Sequence, residues 1–212
     1  MSTLDLKTKS NKRPARSRAD ILQAALEEFA ERGFDAATVR GIAARIDLTH
    51  GMIRYHYDSK EQLWIAAVEH LFERQFEYLK LTKVEELEFT KGTRARFAKL
   101  LRRYVYYSAK YPEHARILMQ ETVSPTPRMR KALKQQLREP HHRLVEEIQL
   151  LQKNGVLKTN APPASIMYMI SGACQNLFAL APEVKVTLDY NALSRQAIED
   201  HADLIVSTFA PD

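Results

Sequence analysis

With one cysteine in 212 residues, Cys174, the chain has no intrachain disulfide and fits a reducing compartment. No apolar run approaches the roughly 18 residues needed to cross a bilayer. The N-terminus is charged and lacks the apolar stretch of a secretory signal. A cytoplasmic protein with no membrane partner is expected. Glycine-rich phosphate loops, Gly-x-Ser-x-Gly and His-Glu-x-x-His are all missing, so no cofactor is expected and no common hydrolytic or nucleotide-dependent chemistry is encoded. Glycine itself is scarce, and three of the six, Gly33, Gly41 and Gly51, fall in or beside one short stretch.

What is present is helical. Long runs rich in Ala, Leu, Glu, Lys and Arg, with so little glycine, predict an all-α fold. The net charge of +6 suits a polyanionic partner but does not by itself identify one.

Residues 38–60, TVRGIAARIDLTHGMIRYHYDSK, organise the rest. Thr38 is placed to cap a short helix over residues 39–46, with Ile42, Ala43 and Ile46 on its buried stripe. Asp47 and Leu48 form a turn, and Asp tolerates a left-handed backbone. Thr49 caps a second helix to about Tyr55, with Ile53 inward. Ser59 with Gln62 reads as a capping box opening a third helix. Two short helices crossed at a tight turn are a helix-turn-helix, whose second helix enters the DNA major groove. Between the buried positions stand Thr49, His50, Met52, Tyr55 and His56, flanked by Arg40, Arg54 and Lys60.

These residues resemble the TetR-type bacterial transcriptional regulators. The resemblance is carried by Thr38-Val39-Arg40, Ile42-Ala43, Leu48-Thr49, Gly51, Ile53, Tyr55-His56-Tyr57 and Ser59-Lys60-Glu61, and reaches back to about Ser17. It covers the first quarter to third of the chain. Three positions depart from the family pattern: Gly41 stands where an acidic residue is usual, Asp47 replaces the turn glycine, and Arg54 replaces a frequent tyrosine. The resemblance implies that Thr38, Tyr55 and Lys60 grip backbone phosphates, and that His56 also meets DNA. Helix N-termini at Thr38 and Lys60 favour phosphate on physical grounds as well. Arg40, His50, Met52 and Arg54 are expected at base edges, where Arg suits guanine and Met a thymine methyl.

Residues 1–16 read as a basic arm. Helices are expected over residues 17–33, ended by a left-handed Gly33, and over residues 60–79, whose face of Leu63, Trp64, Ala67, Val68, Leu71 and Phe72 leads out of the DNA-binding part. Residues 82–91 show only weak helical pattern. Further helices are expected over residues 93–110 and 113–122, over 128–154 with a kink or break at Pro140, over 163–180, and over 191–209. The 163–180 helix is apolar on more than one face, which predicts burial both within its own subunit and against a second copy. A homodimer is expected through the last two helices, with Gly172, Ala173, Cys174 and Leu177 at the crossing and Leu193, Ile198, Ala202 and Ile205 opposite.

The expected organisation is an N-terminal three-helix DNA-binding domain (residues 1–60) and a helical ligand-binding and dimerisation bundle (residues 61–212). Tyr104, Tyr107, Met119, Gln120, Met167, Ser171, Asn176 and Phe178 mix apolar walls with polar groups and are candidates for a small-molecule site, which the resemblance also implies. That site is expected between the fourth helix and residues 128–154. His141-His142 and Glu113-His114 read as ordinary helix surface, since a metal site needs further ligands that are not found. The implied function is a repressor released from a palindromic double-stranded DNA operator by a small molecule, with no catalysis. A non-specific architectural DNA-binding protein and an all-helical metal protein or enzyme are the alternatives.

Overall fold

The computed structural model describes residues 17–123 and 125–211, so the basic arm lies outside it. Every regular element among the described residues is a helix: α1 (Arg18–Ala36), α2 (Val39–Arg45), α3 (His50–His56), α4 (Lys60–Leu79), α5 (Lys83–Glu88), α6 (Arg94–Lys110), α7 (Pro112–Thr122), α8 (Pro127–Gln136), α9 (Arg138–Lys153), α10 (Pro163–Ala179), α11 (Ala181–Leu188) and α12 (Arg195–Phe209).

Local chemistry sets most of these boundaries. Ser17 and Asp20 exchange reciprocal capping hydrogen bonds at the start of α1. Thr38, Thr49, Ser59, Thr93 and Ser194 each accept from a backbone N–H in the first turn of the helix they open. The capping box at Ser59 is not reciprocal: the Gln62 side chain accepts from the N–H of Asp58 instead. Gly33 has φ +72° and ψ 168°, a conformation open to glycine, and it kinks α1 while a further turn runs on to Ala36. The expected break near Pro140 falls three residues earlier, at Leu137. Proline has no N–H to donate to a carbonyl in the preceding turn, but it sits comfortably in the first turn of α9.

Two cores result. The first gathers Ile21, Leu26 and Phe29 of α1, Ile42 of α2, Ile53 of α3 and the inner face of α4, and it also takes Ile117 of α7 and Met129 of α8. It therefore does not stop at residue 60. The second joins Phe97, Leu101 and Val105 of α6 to Ile148 and Leu151 of α9, Ile166, Cys174 and Phe178 of α10, and Ala202 and Ile205 of α12. Cys174, Ala202 and Ile205 are thus consumed within the chain and are not free for a subunit crossing. The uncovered apolar side chains of this region are others, among them Tyr168, Met169, Leu180, Leu193 and Leu204. Burial pushes the Cys174 thiol up to about 12, which leaves it a small buried hydrophobe.

Among the described residues no single helix is long and apolar enough to cross a membrane. The pair α10 and α11 reaches that length and composition only together, across a 64° bend.

Candidate nucleic-acid interface

Only Ile53 of α3 is buried, and it anchors the helix in the first core. The rest of α3 faces outward. Tyr55 is 87% exposed and Met52 51% exposed, beside exposed Arg54 and His56 and half-buried His50. An exposed tyrosine and methionine side by side on so short a helix suit a groove reader. The Tyr55 and His56 rings meet edge to face at 5.3 Å. Thr49 caps α3 through the N–H of Met52 at 3.4 Å, and Asp47, with φ 55°, makes the left-handed step that turns α2 into α3. Thr38 and Arg40 lie exposed at the N-terminus of α2, the Thr38 hydroxyl accepting from Gly41 at 3.0 Å.

The departure at Gly41 has a structural reason. A side chain added there would place its Cβ 2.4 Å from Oε1 of Glu28, a residue of α1. The buried Glu28 carboxylate is in turn held by Arg45 at 2.9 Å and Arg32 at 3.1 Å. Arg45 also pairs with Glu31 and Glu27. The acid missing from α2 is replaced in space by an acid from α1, and Arg45 pins the two helices together.

Lys60 differs from its expected role. Its ammonium donates to the carbonyls of Phe34 (2.8 Å), Asp35 (3.1 Å) and Ala37 (3.1 Å), and lies 4.6 Å from the Phe34 ring centroid. An ammonium has three donors, so all are engaged in holding the end of α1 and the entry to α2. The Lys60 charge is used here to shape the domain.

The eight candidate ligand residues come together only in part, with Tyr104, Met167, Ser171 and Phe178 about the second core. Met119, Gln120 and Asn176 are exposed, and the Gln120 amide donates to the Ala30 carbonyl of α1 at 2.9 Å. Met167 and Phe178 are buried in the second core, with Ser171 half-buried nearby on α10. Tyr104 accepts from the amide of Gln175. Tyr107 belongs to a separate network described below. Between α4 and α8, fully buried Met129 fills the contact, with Leu133 and Leu137 beside it. Two open clefts exist elsewhere. One, about 430 Å³, is lined by Tyr78 of α4 and Lys99, Arg102, Arg103 and Tyr106 of α6. The other, about 220 Å³, runs between α1 and the α6–α7 corner, along Gln23, Glu27, Lys110, Glu113 and Arg116. None of the eight lines either cleft.

Glu113 and His114, which the sequence places on helix surface, are buried. Glu113 pairs with Arg74 of α4 at 2.9 Å and accepts from Gln23 of α1 at 3.1 Å. Arg74 also donates to Gln23 and lies 3.8 Å from the Tyr111 ring centroid. The Tyr107 hydroxyl and His114 Nδ1 are 2.7 Å apart. Burial, then the neighbouring Arg74 charge, pushes His114 down to about 3, so it is neutral. This cluster joins α1, which carries the helix-turn-helix, to α4, α6 and α7. The sequence signal for it was the Glu-His pair directly after the Tyr111-Pro112 corner, too common a pattern to stand alone.

The family model described as bacterial regulatory proteins, tetR family, matches residues 21–67, and the one described as tetracyclin repressor-like, C-terminal domain, matches residues 90–179. The chain belongs to the TetR family. The HTH-type transcriptional repressor Rv3405c of Mycobacterium tuberculosis is 49% identical over 53 residues, 25% of this chain and 28% of that protein. The match therefore spans little more than a quarter of that relative's length. The HTH-type transcriptional regulator RutR of Escherichia coli is 25% identical over 201 residues, covering 90% of this chain and 89% of its own. The crystal structure of AibR in complex with isovaleryl coenzyme A and operator DNA superposes with a TM-score of 0.69 at 17% identity, over 90% of this chain and 96% of that one. At that identity the likeness to AibR is one of fold. The family match spans both cores, so the TetR-type organisation extends beyond the N-terminal segment that the sequence motifs marked.

Proposed function

We propose that this chain is a dimeric, sequence-specific transcriptional repressor that leaves its operator when a small effector binds. The observation that carries this reading is α3: one buried anchor, Ile53, and an outward face of His50, Met52, Arg54, Tyr55 and His56. Residues 1–60 supply the DNA contacts, and residues 61–212 supply the effector and dimer contacts. Thr38 and Tyr55 meet phosphate, as does the N-terminus of α4. Arg40, His50, Met52 and Arg54 read base edges. The second copy covers the apolar side chains left open on α10 and α12, Tyr168, Met169, Leu193 and Leu204 among them. The protein acts on DNA in the cytoplasm and catalyses nothing.

The effector is a small acidic or aromatic molecule seated in the cleft of about 430 Å³ beside α4, where aromatic and cationic side chains meet. Its effect on DNA requires different affinities for the two arrangements of α4. The Arg74 cluster supports that coupling, since any shift of α4 past α7 displaces Gln23 of α1. AibR, whose operator complex also holds isovaleryl coenzyme A, supports the pairing of DNA and effector in this fold.

Selection of bound duplexes from a random pool tests the proposal. A near-palindrome with half-sites about one helical turn or somewhat more apart is expected. Recovery of unrelated sequences would leave the architectural reading in its place.

A further inference from the structure

The exposed face of α8 carries Arg130, Lys131 and Lys134, and Arg138 continues it at the start of α9. These positions recur at i, i+1, i+4 and i+8, so they share one side of the helix. The opposite side, Met129, Ala132, Leu133 and Leu137, is packed into the first core. No acid stands on the exposed face of α8. Of the acids nearby, Glu139 is 3.9 Å from Arg143, and Glu121 is 3.7 Å from Arg128. Among the described residues no ion pair engages Arg130, Lys131, Lys134 or Arg138; Arg130 only donates to the Pro125 carbonyl, at 3.0 Å. Several arginines elsewhere on this protein are paired: Arg45, Arg96, Arg102 and Arg103 each meet one or more carboxylates.

The position of this face gives it a use. The Arg128 guanidinium, at the start of α8, lies 3.6 Å from the Phe34 ring centroid and 5.0 Å from that of Trp64. The Lys60 ammonium reaches the same Phe34 ring at 4.6 Å. Lys60 opens α4, the helix end assigned to a phosphate above. The first turn of α8 is thus rooted beside the DNA-facing end of α4, although it belongs to the second half of the chain. Unpaired like charge on a helix costs stability through self-repulsion and is relieved by a polyanion.

We infer that the outer face of α8 is a second DNA-backbone contact, made by Arg130, Lys131 and Lys134 to phosphates beside those held by the helix-turn-helix. The inference rests on the proposed DNA-binding function. The contact reads no sequence and adds affinity through counterion release. Because α8 packs directly on α4, a shift of α4 moves this contact together with the recognition helix.

The test is a salt titration of binding to the selected operator. Wild type is compared with the triple variant Arg130→Gln/Lys131→Gln/Lys134→Gln. The control is an equal-charge triple, Lys153→Gln/Lys158→Gln/Lys185→Gln, at exposed positions outside the first core. Each phosphate contact contributes roughly 0.9 to the slope of log K against log salt. The α8 triple is expected to lower that slope by about two to five per dimer, and the control by less than about one. Equal shifts in the two triples, or an unchanged slope in the α8 triple, overturn the inference. The double variant Lys131→Gln/Lys134→Gln keeps the Arg130 bond to Pro125 and should show roughly two-thirds of the effect. A wild type that binds operator and random duplex alike would sink the proposed repressor function, while the difference in slopes between the triples would still decide the role of α8.

Discussion

The Arg74–Glu113 pair is the most exposed point of the account, because burial makes its loss expensive. The two side chains are 10% and 7% exposed and their charged atoms are 2.9 Å apart. Removing one partner of a buried pair leaves the other charge without compensation, at roughly 3–5 kcal/mol, whereas replacing both by apolar residues of similar size is often near neutral. Arg74→Met and Glu113→Leu should therefore each destabilise the protein by about 3–5 kcal/mol. The double variant should lie within about 1–2 kcal/mol of wild type, giving a coupling energy of several kcal/mol. Residual hydrogen bonds from Gln23 to either partner would soften the singles somewhat, and Gln23 itself would remain to be satisfied in the double. The measurement is urea unfolding of all four proteins at one fixed concentration, since a dimer's stability depends on it. Single variants each costing under about 1 kcal/mol, and adding in the double, would refute the claim that this pair is a buried tie between α4 and α7.

Other outcomes follow from the same geometry. His114 is held neutral with its folded pKa depressed to about 3, so the unfolded chain binds the extra proton between that value and its ordinary 6.5. Its contribution to stability is intact above about pH 6.5 and falls by roughly 1.4 kcal/mol per pH unit as the pH drops below that. Urea unfolding at pH 7 and pH 5 should show this slope in wild type and a weaker one in His114→Asn; identical slopes would contradict it. Gly41→Glu, which restores the residue usual in the family, should destabilise by roughly 1–3 kcal/mol, because Glu28 already occupies that space. A thermal melt unchanged from wild type would show that Glu28 can move aside. Lys60→Met should lower thermal stability, with a cost of about 1–2 kcal/mol, as well as weaken binding to every duplex alike. A variant that melts like wild type but binds DNA less would return Lys60 to a direct phosphate role.

The parts of the fold that local chemistry dictates were legible in the sequence. Ser59 and the face from Leu63 to Phe72 place α4 at its observed start, and Asp47 makes the left-handed step expected of it. Tyr111-Pro112 opens α7 for the reason that proline suits a first turn. Two of the short helices, α5 and α11, were not legible. Residues 83–88 show little apolar periodicity, and α5 depends on the Thr82–Glu85 capping box and on Glu85 meeting Arg103 and Lys99. α11 contains Val184, Val186 and Thr187, poor helix formers that tertiary packing overrides. The outward-facing side chains of α3 could be picked out because a helix-turn-helix fixes which positions point away from the core. The role of Lys60 could not, since its three carbonyl partners lie more than twenty residues away. The candidate effector residues were chosen by chemical type across three helices, α6, α7 and α10, and nothing in sequence spacing says which of them share a wall. The Glu113-His114 pair shows the same limit from the other side: its partners Arg74 and Gln23 come from α4 and α1.

The central claim is that α3 reads sequence. It is tested most directly by the ratio of dissociation constants for the selected operator and a random duplex, measured at one physiological salt concentration for wild type and for His50→Ala. Wild type should prefer the operator by roughly 10³-fold or more. His50→Ala should lose about 1–3 kcal/mol of binding on the operator and almost none on random DNA, so that the ratio collapses toward the random value. A wild-type ratio near one, or a His50→Ala variant that weakens both duplexes equally, would contradict the account.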